Sequence, residues 1–251
     1  MYHKKIPVKN GIFPTVRKED AHKTSEHDKM RKKDGRYKPA GRRMENRTRK
    51  MSLVLLSLAV LWTAAACSRP VGLPRLEKDD VVVAFGDSIT YGVGAAPQES
   101  YPAVLERLIG RRVVNAGVSG EVTAAGLARL PEVLQREKPA LVILCLGGND
   151  FLRRLDRKQA ALNLRAMVRL AREKGASVAL LAVPALGLSV APDPLYRDLA
   201  SDLITPLEEK TLSDILADRS LKADLIHPNA AGYRRLAEAV RDLLKKSGAI
   251  E

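Results

Sequence analysis

One stretch in the first half of the chain strongly constrains the fold. A run of apolar residues over positions 81–85 ends abruptly at Gly86-Asp87-Ser88. An uninterrupted apolar run of this length is typical of a strand that is buried on both faces, as in a parallel sheet. The glycine and the aspartate break the pattern where such a strand would reach solvent. Ser88 is therefore expected at the carboxyl end of a buried strand, where open α/β sheets bind ligands, although a serine here can also simply cap the next helix.

The sequence after this stretch alternates apolar runs with amphipathic segments. We predict strands at residues 81–85, 113–115, 141–146 and 177–183, and helices at residues 100–109, 122–137 and 157–174. This β-α-β-α-β-α-β order predicts a parallel sheet with right-handed crossovers. The expected fold is a three-layer α/β/α sandwich with a flavodoxin-like parallel sheet of five strands.

The fifth strand is less clear from the sequence than the first four. Residues 184–194 are predicted as a proline-rich loop, and residues 196–219 as a helical segment that Pro206 can break. Residues 221–226 fit either a short fifth strand or an extended loop. A last helix is predicted from Asn229, its expected cap, to residue 246.

Charge is distributed unevenly along the chain. The net charge is +14, but residues 1–50 hold 17 Lys/Arg against 6 Asp/Glu, which leaves 26 against 23 for the remainder. Residues 1–50 show no sustained apolar periodicity, so we expect a disordered basic leader. Residues 1–43 are interpreted as an artefact of start-site choice, with Met44 as the start. Because the rest of the chain is nearly balanced, we expect no nucleic-acid partner.

An uncharged segment follows the leader and predicts export. Residues 51–66 carry no charge and come directly after Arg47-Thr48-Arg49-Lys50, the pattern of a secretory signal and a short one for a membrane-spanning helix. Cys67 follows three alanines in a sequence that resembles a bacterial lipobox, although Ala64 stands where leucine is usual. We predict a lipidated Cys67 and a protein of the periplasm or cell envelope. Cleavage after Ala66 and an uncleaved anchor stay open. Residues 68–80 are predicted as a linker and residues 81–251 as the folded domain.

Three predicted strands end in polar, glycine-rich turns, and these turns would meet at one edge of a parallel sheet. They are Gly86-Asp87-Ser88, Asn115-Ala116-Gly117 and Gly147-Gly148-Asn149-Asp150. Near the C-terminus Asp224 precedes His227 by three residues. His227 is the only histidine after residue 27, so it is the one candidate for an imidazole base in the domain, although a lone histidine is more often a surface or core residue. The other cysteine, Cys145, lies in an apolar run and is predicted as a core residue, so no intrachain disulfide is expected.

Together these four motifs resemble those of the SGNH hydrolases, also called GDSL-type esterases and lipases. The resemblance runs from about residue 81 to residue 239, and Ile89 replaces the leucine of the Gly-Asp-Ser-Leu motif. Within the family, the motifs are most similar to those of small bacterial enzymes of the thioesterase I, lysophospholipase and arylesterase type.

The resemblance implies a catalytic triad in which Ser88 is the nucleophile, His227 the general base and Asp224 its orienting carboxylate. It also implies an oxyanion hole formed by the N–H groups of Ser88 and Gly117 and by the side-chain amide of Asn149. Simple turn chemistry is the alternative explanation for Gly117 and Asn149.

Asp87 and Asp150 are expected to support these loops rather than to enter the reaction. The predicted function is a monomeric serine hydrolase of small-molecule esters or thioesters that needs no metal and no cofactor, and that meets the membrane through a lipid anchor or its signal segment. Two alternatives are a carbohydrate O-deacetylase of the same fold and a non-catalytic envelope lipoprotein.

Overall fold

A computed structural model gives the structure of the protein, and it describes residues 71–186 and 190–251. The predicted basic leader, the signal segment and Cys67 lie outside the described residues. The predicted linker is described only from residue 71 onward.

A parallel sheet of five strands forms the centre of the domain. The strands are β1 Val82–Gly86, β2 Val113–Gly117, β3 Leu141–Cys145, β4 Ser177–Leu181 and β7 Leu207–Glu208. Their order across the sheet is β2-β1-β3-β4-β7. Every residue of β1 and β3 is buried, as expected for strands that are covered on both faces. The predicted α/β fold with a five-stranded parallel sheet is confirmed.

Helices cover both faces of this sheet. They are α1 Ser88–Tyr91, α2 Tyr101–Ile109, α3 Thr123–Glu137, α4 Gly148–Leu152, α5 Arg157–Glu173, α6 Pro194–Leu203, α7 Thr211–Ala217 and α8 Ala230–Lys246. Helix α2 packs against α8, and α3 packs against α5. Because right-handed crossovers lead in opposite directions from β1 to β2 and from β2 to β3, these two helix pairs lie on opposite faces.

The predicted helix ends are only partly as expected. Gly110 ends α2 in the left-handed conformation (φ +62°), and the Asn229 side chain accepts the N–H of Gly232 at 3.0 Å and so caps α8. Ser100 precedes α2 at the cap position, but its hydroxyl donates to the carbonyl of Pro97 and caps nothing.

Of the two possibilities for residues 221–226, the structure shows the loop, and the fifth strand of the sheet lies earlier in the chain. Residues 221–226 hold no strand of the sheet; a 3₁₀ turn at Arg219–Leu221 is followed by a loop that a single bridge between Lys222 and Pro228 closes. The fifth strand, β7, lies within the segment predicted as helical, directly after Pro206. It pairs with β4, where Ala182 N–H donates to the carbonyl of Glu208 at 2.9 Å. Two paired residues are too few to leave a periodic pattern in the sequence.

The segment predicted as a proline-rich loop is also more ordered than expected. Strands β5 Pro184–Leu186 and β6 Val190–Pro192 pair as a short antiparallel hairpin outside the main sheet. Prolines stand at the outer ends of both strands, positions at which the missing N–H removes no bond from the interior of the pair.

The domain begins before the first strand. The N–H groups of Leu73 and Leu76 donate to the carbonyls of Ser247 and Ala249, each at 2.8 Å, and the Leu76 side chain is 4% exposed. The described part of the predicted linker is thus in contact with the C-terminal end of the chain. No helix within residues 71–186 and 190–251 has the length and apolar character needed to cross a membrane.

Candidate active site

Strand β1 delivers Ser88 to the carboxyl edge of the sheet through a turn in which only glycine fits. A Cβ on Gly86 would lie 2.2 Å from the carbonyl oxygen of Cys145 and 2.3 Å from Oγ1 of Thr90. Asp87 then caps α1, because its Oδ1 accepts the N–H of Ile89 at 3.1 Å. Ser88 is the first residue of α1, so its N–H is one of the amides that a helix leaves without an intrahelical acceptor.

The hydroxyl of Ser88 is in contact with an imidazole from the other end of the chain. Nε2 of His227 lies 3.0 Å from Ser88 Oγ, and Nδ1 of the same ring lies 2.7 Å from Oδ2 of Asp224. The carboxylate accepts from Nδ1–H, which leaves Nε2 free to accept the proton of the hydroxyl. The structure therefore brings together the three residues predicted as a triad, in the order serine, histidine, aspartate.

Asp224 is held by the backbone of its own loop. Its Oδ1 accepts the N–H groups of Ile226 and His227, each at 2.8 Å. Burial acts to raise the pKa of the carboxyl group, but the hydrogen bonds from the His227 side chain and from these two N–H groups outweigh it, and the pKa lies below its ordinary value. Asp224 is consequently ionised at neutral pH.

A tight loop fixes His227 in place. The N–H of Ala223 donates to the carbonyl of His227 at 2.9 Å, which closes the loop on itself. Gly94, with φ +96°, packs against it, and a Cβ there would lie 2.6 Å from the carbonyl oxygen of Pro228 and 2.8 Å from the Cβ of Ala223. The loop that follows α1 therefore approaches the histidine loop more closely than a side chain would allow.

Asn149, in the short helix α4, points its amide at two acceptors next to the serine. Its Nδ2 donates to the carbonyl of Glu121 at 3.0 Å and to Oδ2 of Asp87 at 3.3 Å. Gly147, with φ +122°, makes the turn into α4, and a Cβ there would lie 2.5 Å from the hydroxyl of Tyr196. Both amide protons of Asn149 thus have protein acceptors in this structure.

Gly117 ends β2 directly opposite Gly86 of β1. A Cβ on Gly117 would lie 2.1 Å from the backbone nitrogen of Tyr91, so the close approach of α1 already requires glycine here. Its N–H donates to Oδ1 of Asn115 at 3.0 Å. Close backbone packing therefore accounts for the glycine, and its N–H has a side-chain acceptor.

The two other aspartates of the motifs are buried and have different surroundings. Asp150 accepts both the N–H and the hydroxyl of Thr123, at 2.9 and 2.6 Å, and Asn163 donates to the same hydroxyl at 3.0 Å. This network ties α4 to the first turn of α3 and to α5.

Burial raises the pKa of Asp87 to about 7, although the N–H of Ile89 and the nearby His227 act to lower it.

A cavity of about 620 Å³ opens beside Ser88 and Asn149. Its walls combine polar and apolar side chains from α4, the following loop, β5 and α7. The apolar ones include Leu152, Leu155, Val183, Leu212, Leu216 and Ile226, and Arg154 and Arg157 are among the polar ones. This volume is within the range of about 300–1,000 Å³ for small-molecule sites. In the part of the chain that the structure describes, no group of three His, Cys, Asp or Glu side chains is arranged to hold a metal ion.

Two residues near the site did not stand out in the sequence. Glu121, in the loop after β2, has a side chain that is only 5% exposed, and Arg129 of α3 binds it with two hydrogen bonds of 2.9 and 2.7 Å. An arginine on a predicted amphipathic helix is normally solvated, so no sequence pattern indicated this pair.

The comparison with protein families decides the assignment. The sequence pattern of the GDSL-like Lipase/Acylhydrolase family matches residues 84–235, which include all four motifs. The chain belongs to this family. Family membership carries an ester-bond hydrolase activity, and the chain is accordingly such an enzyme.

Two relatives align with this chain over most of their own length. Esterase TesA of Pseudomonas aeruginosa is 36% identical over 197 residues, which cover 72% of this chain and 96% of TesA. The thioesterase 1/protease 1/lysophospholipase L1 of Escherichia coli K12 is 31% identical over 62% of this chain and 78% of its own. The crystal structure of TesA superposes with a TM-score of 0.60 over 66% of this chain and 98% of the TesA chain.

Proposed function

We propose that this family member cleaves acyl esters or thioesters through a Ser88–His227–Asp224 triad. The observation that carries the proposal is the 3.0 Å contact between Ser88 Oγ and His227 Nε2, with Asp224 2.7 Å from the opposite ring nitrogen. Ser88 also lines a cavity that has apolar side chains in its walls. A serine hydroxyl is a weak nucleophile and needs an adjacent base, and the third group orients that base.

In the first half of the reaction Ser88 Oγ attacks the carbonyl carbon of the ester while its proton passes to Nε2 of His227. The imidazolium is stabilised by the ionised Asp224, which stays unprotonated. When the tetrahedral intermediate collapses, the bond to the leaving alcohol or thiol breaks and the leaving group takes the proton from Nε2. Ser88 is then acylated.

In the second half a water molecule replaces the leaving group. Nε2 of His227 accepts one proton of the water while its oxygen attacks the acyl carbon, and the collapse of this second intermediate returns the proton to Ser88 Oγ and releases the acid. Enzyme and base are restored, so the reaction consumes only substrate and water.

The developing negative charge of each intermediate would be met by the Ser88 N–H, the Gly117 N–H and the Asn149 amide. The N–H of Gly117 and the amide of Asn149 have other acceptors in the structure, Asn115 for the first and Asp87 and Glu121 for the second. We infer that the substrate oxyanion takes the place of the longer of the Asn149 bonds, the one to Asp87, and shares the Gly117 N–H with Asn115.

The walls of the cavity support a substrate with a hydrocarbon acyl group. Leucine, isoleucine and valine side chains line the space beside Ser88, and Leu152 and Leu155 are 48% and 45% exposed at its rim. Burial of each methylene contributes about 0.8 kcal/mol to binding, so a longer acyl chain gains affinity over acetate. This favours acyl esters and thioesters over acetylated sugars as substrates. A relative carries the name thioesterase 1/protease 1/lysophospholipase L1, which refers to the same kind of substrate.

Hydrolysis of p-nitrophenyl esters from acetate to palmitate by the purified chain tests the proposal. We expect kcat/KM to rise from acetate toward longer chains, and Ser88→Ala to lose at least about 10³-fold of kcat with its fold intact. Ser201→Ala, which changes an exposed serine of α6, is the matched control and should keep wild-type activity. A Ser88→Ala variant with more than a tenth of wild-type turnover would rule the triad out.

We further propose that the enzyme is exported and anchored through Cys67. The support is the uncharged segment at residues 51–66 with basic residues before it and Cys67 after it. In a bacterial host, mass spectrometry of the membrane fraction should find a diacylglycerol-modified Cys67 as the first residue, and Cys67→Ala should move the activity to the soluble fraction. Finding residues 1–66 still attached in the mature protein would contradict cleavage at this site.

A further inference from the structure

An ion pair between the buried carboxylate of Glu121 and the half-buried guanidinium of Arg129 lies behind the proposed oxyanion hole. Arg129 donates from Nε and Nη2 to the two carboxylate oxygens of Glu121, at 2.9 and 2.7 Å, and its Cζ lies 4.2 Å from the centroid of the Phe85 ring. Phe85 is fully buried in β1, three residues before Ser88. The guanidinium is therefore fixed in position by a two-point ion pair and by an aromatic face.

The same guanidinium contacts the peptide unit of one proposed donor. Nη2 of Arg129 also donates to the carbonyl oxygen of Ala116 at 3.1 Å. This carbonyl and the N–H of Gly117 belong to one planar peptide group, so a bond at the oxygen fixes the direction of the N–H. A cation at the carbonyl oxygen also polarises the peptide and makes its N–H a stronger donor.

The carboxylate partner reaches the other proposed donor through its backbone. The carbonyl of Glu121 accepts from Nδ2 of Asn149 at 3.0 Å. The loop that carries Glu121 is joined to the end of β1, since Val118 N–H donates to the carbonyl of Gly86 at 3.0 Å and Glu121 N–H donates to that of Val118 at 3.2 Å. The position of Glu121 thus determines where the Asn149 amide points.

We propose that Arg129 is a positioning residue for catalysis, which aligns the Gly117 N–H through Ala116 and the Asn149 amide through Glu121. The inference rests on the proposed function, because it needs these two groups to be the oxyanion donors. Arg129 then affects the stabilisation of the transition state although it contacts neither substrate nor Ser88. Binding of the acyl group depends on the cavity and not on Arg129. The expected signature is a loss in kcat with KM nearly unchanged.

The main test separates this role from a merely structural one by replacing the pair as a whole. Removal of Arg129 would leave the buried carboxylate of Glu121 without its partner, whereas replacement of both residues by apolar side chains of similar volume is often neutral for stability. We therefore compare Arg129→Lys with the double variant Glu121→Leu/Arg129→Met. Readouts are kcat and KM with p-nitrophenyl butyrate, the urea unfolding midpoint, and the affinity for butylboronic acid, which binds serine hydrolases as a tetrahedral anion.

We expect both variants to lose about 10- to 100-fold in kcat and a similar factor in boronate affinity, with KM within about twofold of wild type, as for residues that orient an active-site group from behind. The double variant should keep the wild-type unfolding midpoint. Arg136→Lys, on the same helix but solvent-exposed, is the matched control and should change none of these values. Recovery of kcat together with stability in the double variant would overturn the proposal.

If the double variant does not fold, the proposal is tested by a double-mutant cycle that combines Arg129→Lys with Asn149→Ala and compares kcat. Residues that act on the same donor are not additive, so Arg129→Lys should cost less kcat when Asn149 is already alanine. Full additivity would contradict the proposal. If Asn149→Ala keeps the wild-type kcat, the oxyanion assignment of the proposed function fails. If Asn149→Ala loses about 10²–10³-fold in kcat and Arg129→Lys loses none, only the positioning role of Arg129 is rejected.

Discussion

Asp87 is a buried carboxylate placed between the nucleophile and the amide of Asn149. It is 2% exposed, it caps α1 through Ile89, and its second oxygen accepts from Asn149. Burial raises its pKa to about 7 from an ordinary value of 3.8. The folded protein therefore keeps a proton on Asp87 over a pH range in which the unfolded chain has already lost it.

This difference predicts a pH dependence of stability. Between about pH 4 and pH 7 the folded state binds more protons than the unfolded state, so Asp87 lowers the free energy of unfolding as pH rises through this window. Asp87→Asn removes the titration and keeps the cap acceptor. The unfolding free energy of Asp87→Asn minus that of wild type should therefore be larger at pH 8 than at pH 5, by an amount on the order of 2 kcal/mol. Urea unfolding of both proteins at the two pH values measures this difference.

Asp218 provides a control, because its pKa is shifted in the opposite direction from that of Asp87. This exposed carboxylate has its pKa lowered by hydrogen bonds from Ser220, so it stabilises the fold above its unfolded pKa and loses this effect only as pH falls. For Asp218→Asn the difference from wild type should be flat between pH 5 and pH 8. A flat difference for Asp87→Asn as well would mean that Asp87 is ionised in the folded protein at pH 5.

The residues of the site differ in how far the sequence revealed them. Ser88, Asn149 and His227 lie in short motifs, and such motifs can be read directly once four of them occur in order. The contacts of Arg129 with Ala116 and Glu121 could not be read, since they depend on the register of α3 against the loop after β2. The acceptor of the Gly117 N–H, Asn115, was within the motif, but the direction of its side chain depends on a contact with α1, because its Nδ2 donates to the carbonyl of Tyr91 at 3.2 Å.

Among the helices and strands, the length of the apolar run determined what could be predicted. Strands β1 and β3 have five consecutive buried residues each, and such runs have few alternatives in a chain of this kind. Strand β7 has two residues, and its place beside β4 is determined by tertiary pairing after the end of α6. The short helices α1 and α4 were missed for a similar reason, because four or five residues that follow a glycine turn show no helical period.

For the molecule as a whole, the described chain closes its N-terminal end onto its C-terminal end, away from the site. Backbone hydrogen bonds join Leu73 to Ser247 and Leu76 to Ala249, and the Arg111 side chain donates to the carbonyl of Leu76 at 2.9 Å. These contacts come before β1, at the amino edge of the sheet, whereas Ser88 lies at the carboxyl edge. We infer that the stability of the domain depends on a segment that chemistry at the site does not need.

Leu76→Ala tests this separation of stability and activity. The variant removes a side chain that is 4% exposed, and a buried leucine reduced to alanine costs about 2–5 kcal/mol of unfolding free energy. In a domain of this size each kcal/mol corresponds to a fall in Tm of about 2–4 °C.

Arg75→Ala, which removes an exposed ion pair with Glu251, should cost less than about 1 kcal/mol and serves as the control. Esterase kcat measured well below Tm should equal that of wild type in both variants. If Leu76→Ala unfolds at the wild-type temperature, residues 71–80 are a linker that merely rests on the domain; if it loses kcat while folded, the two edges of the sheet are coupled.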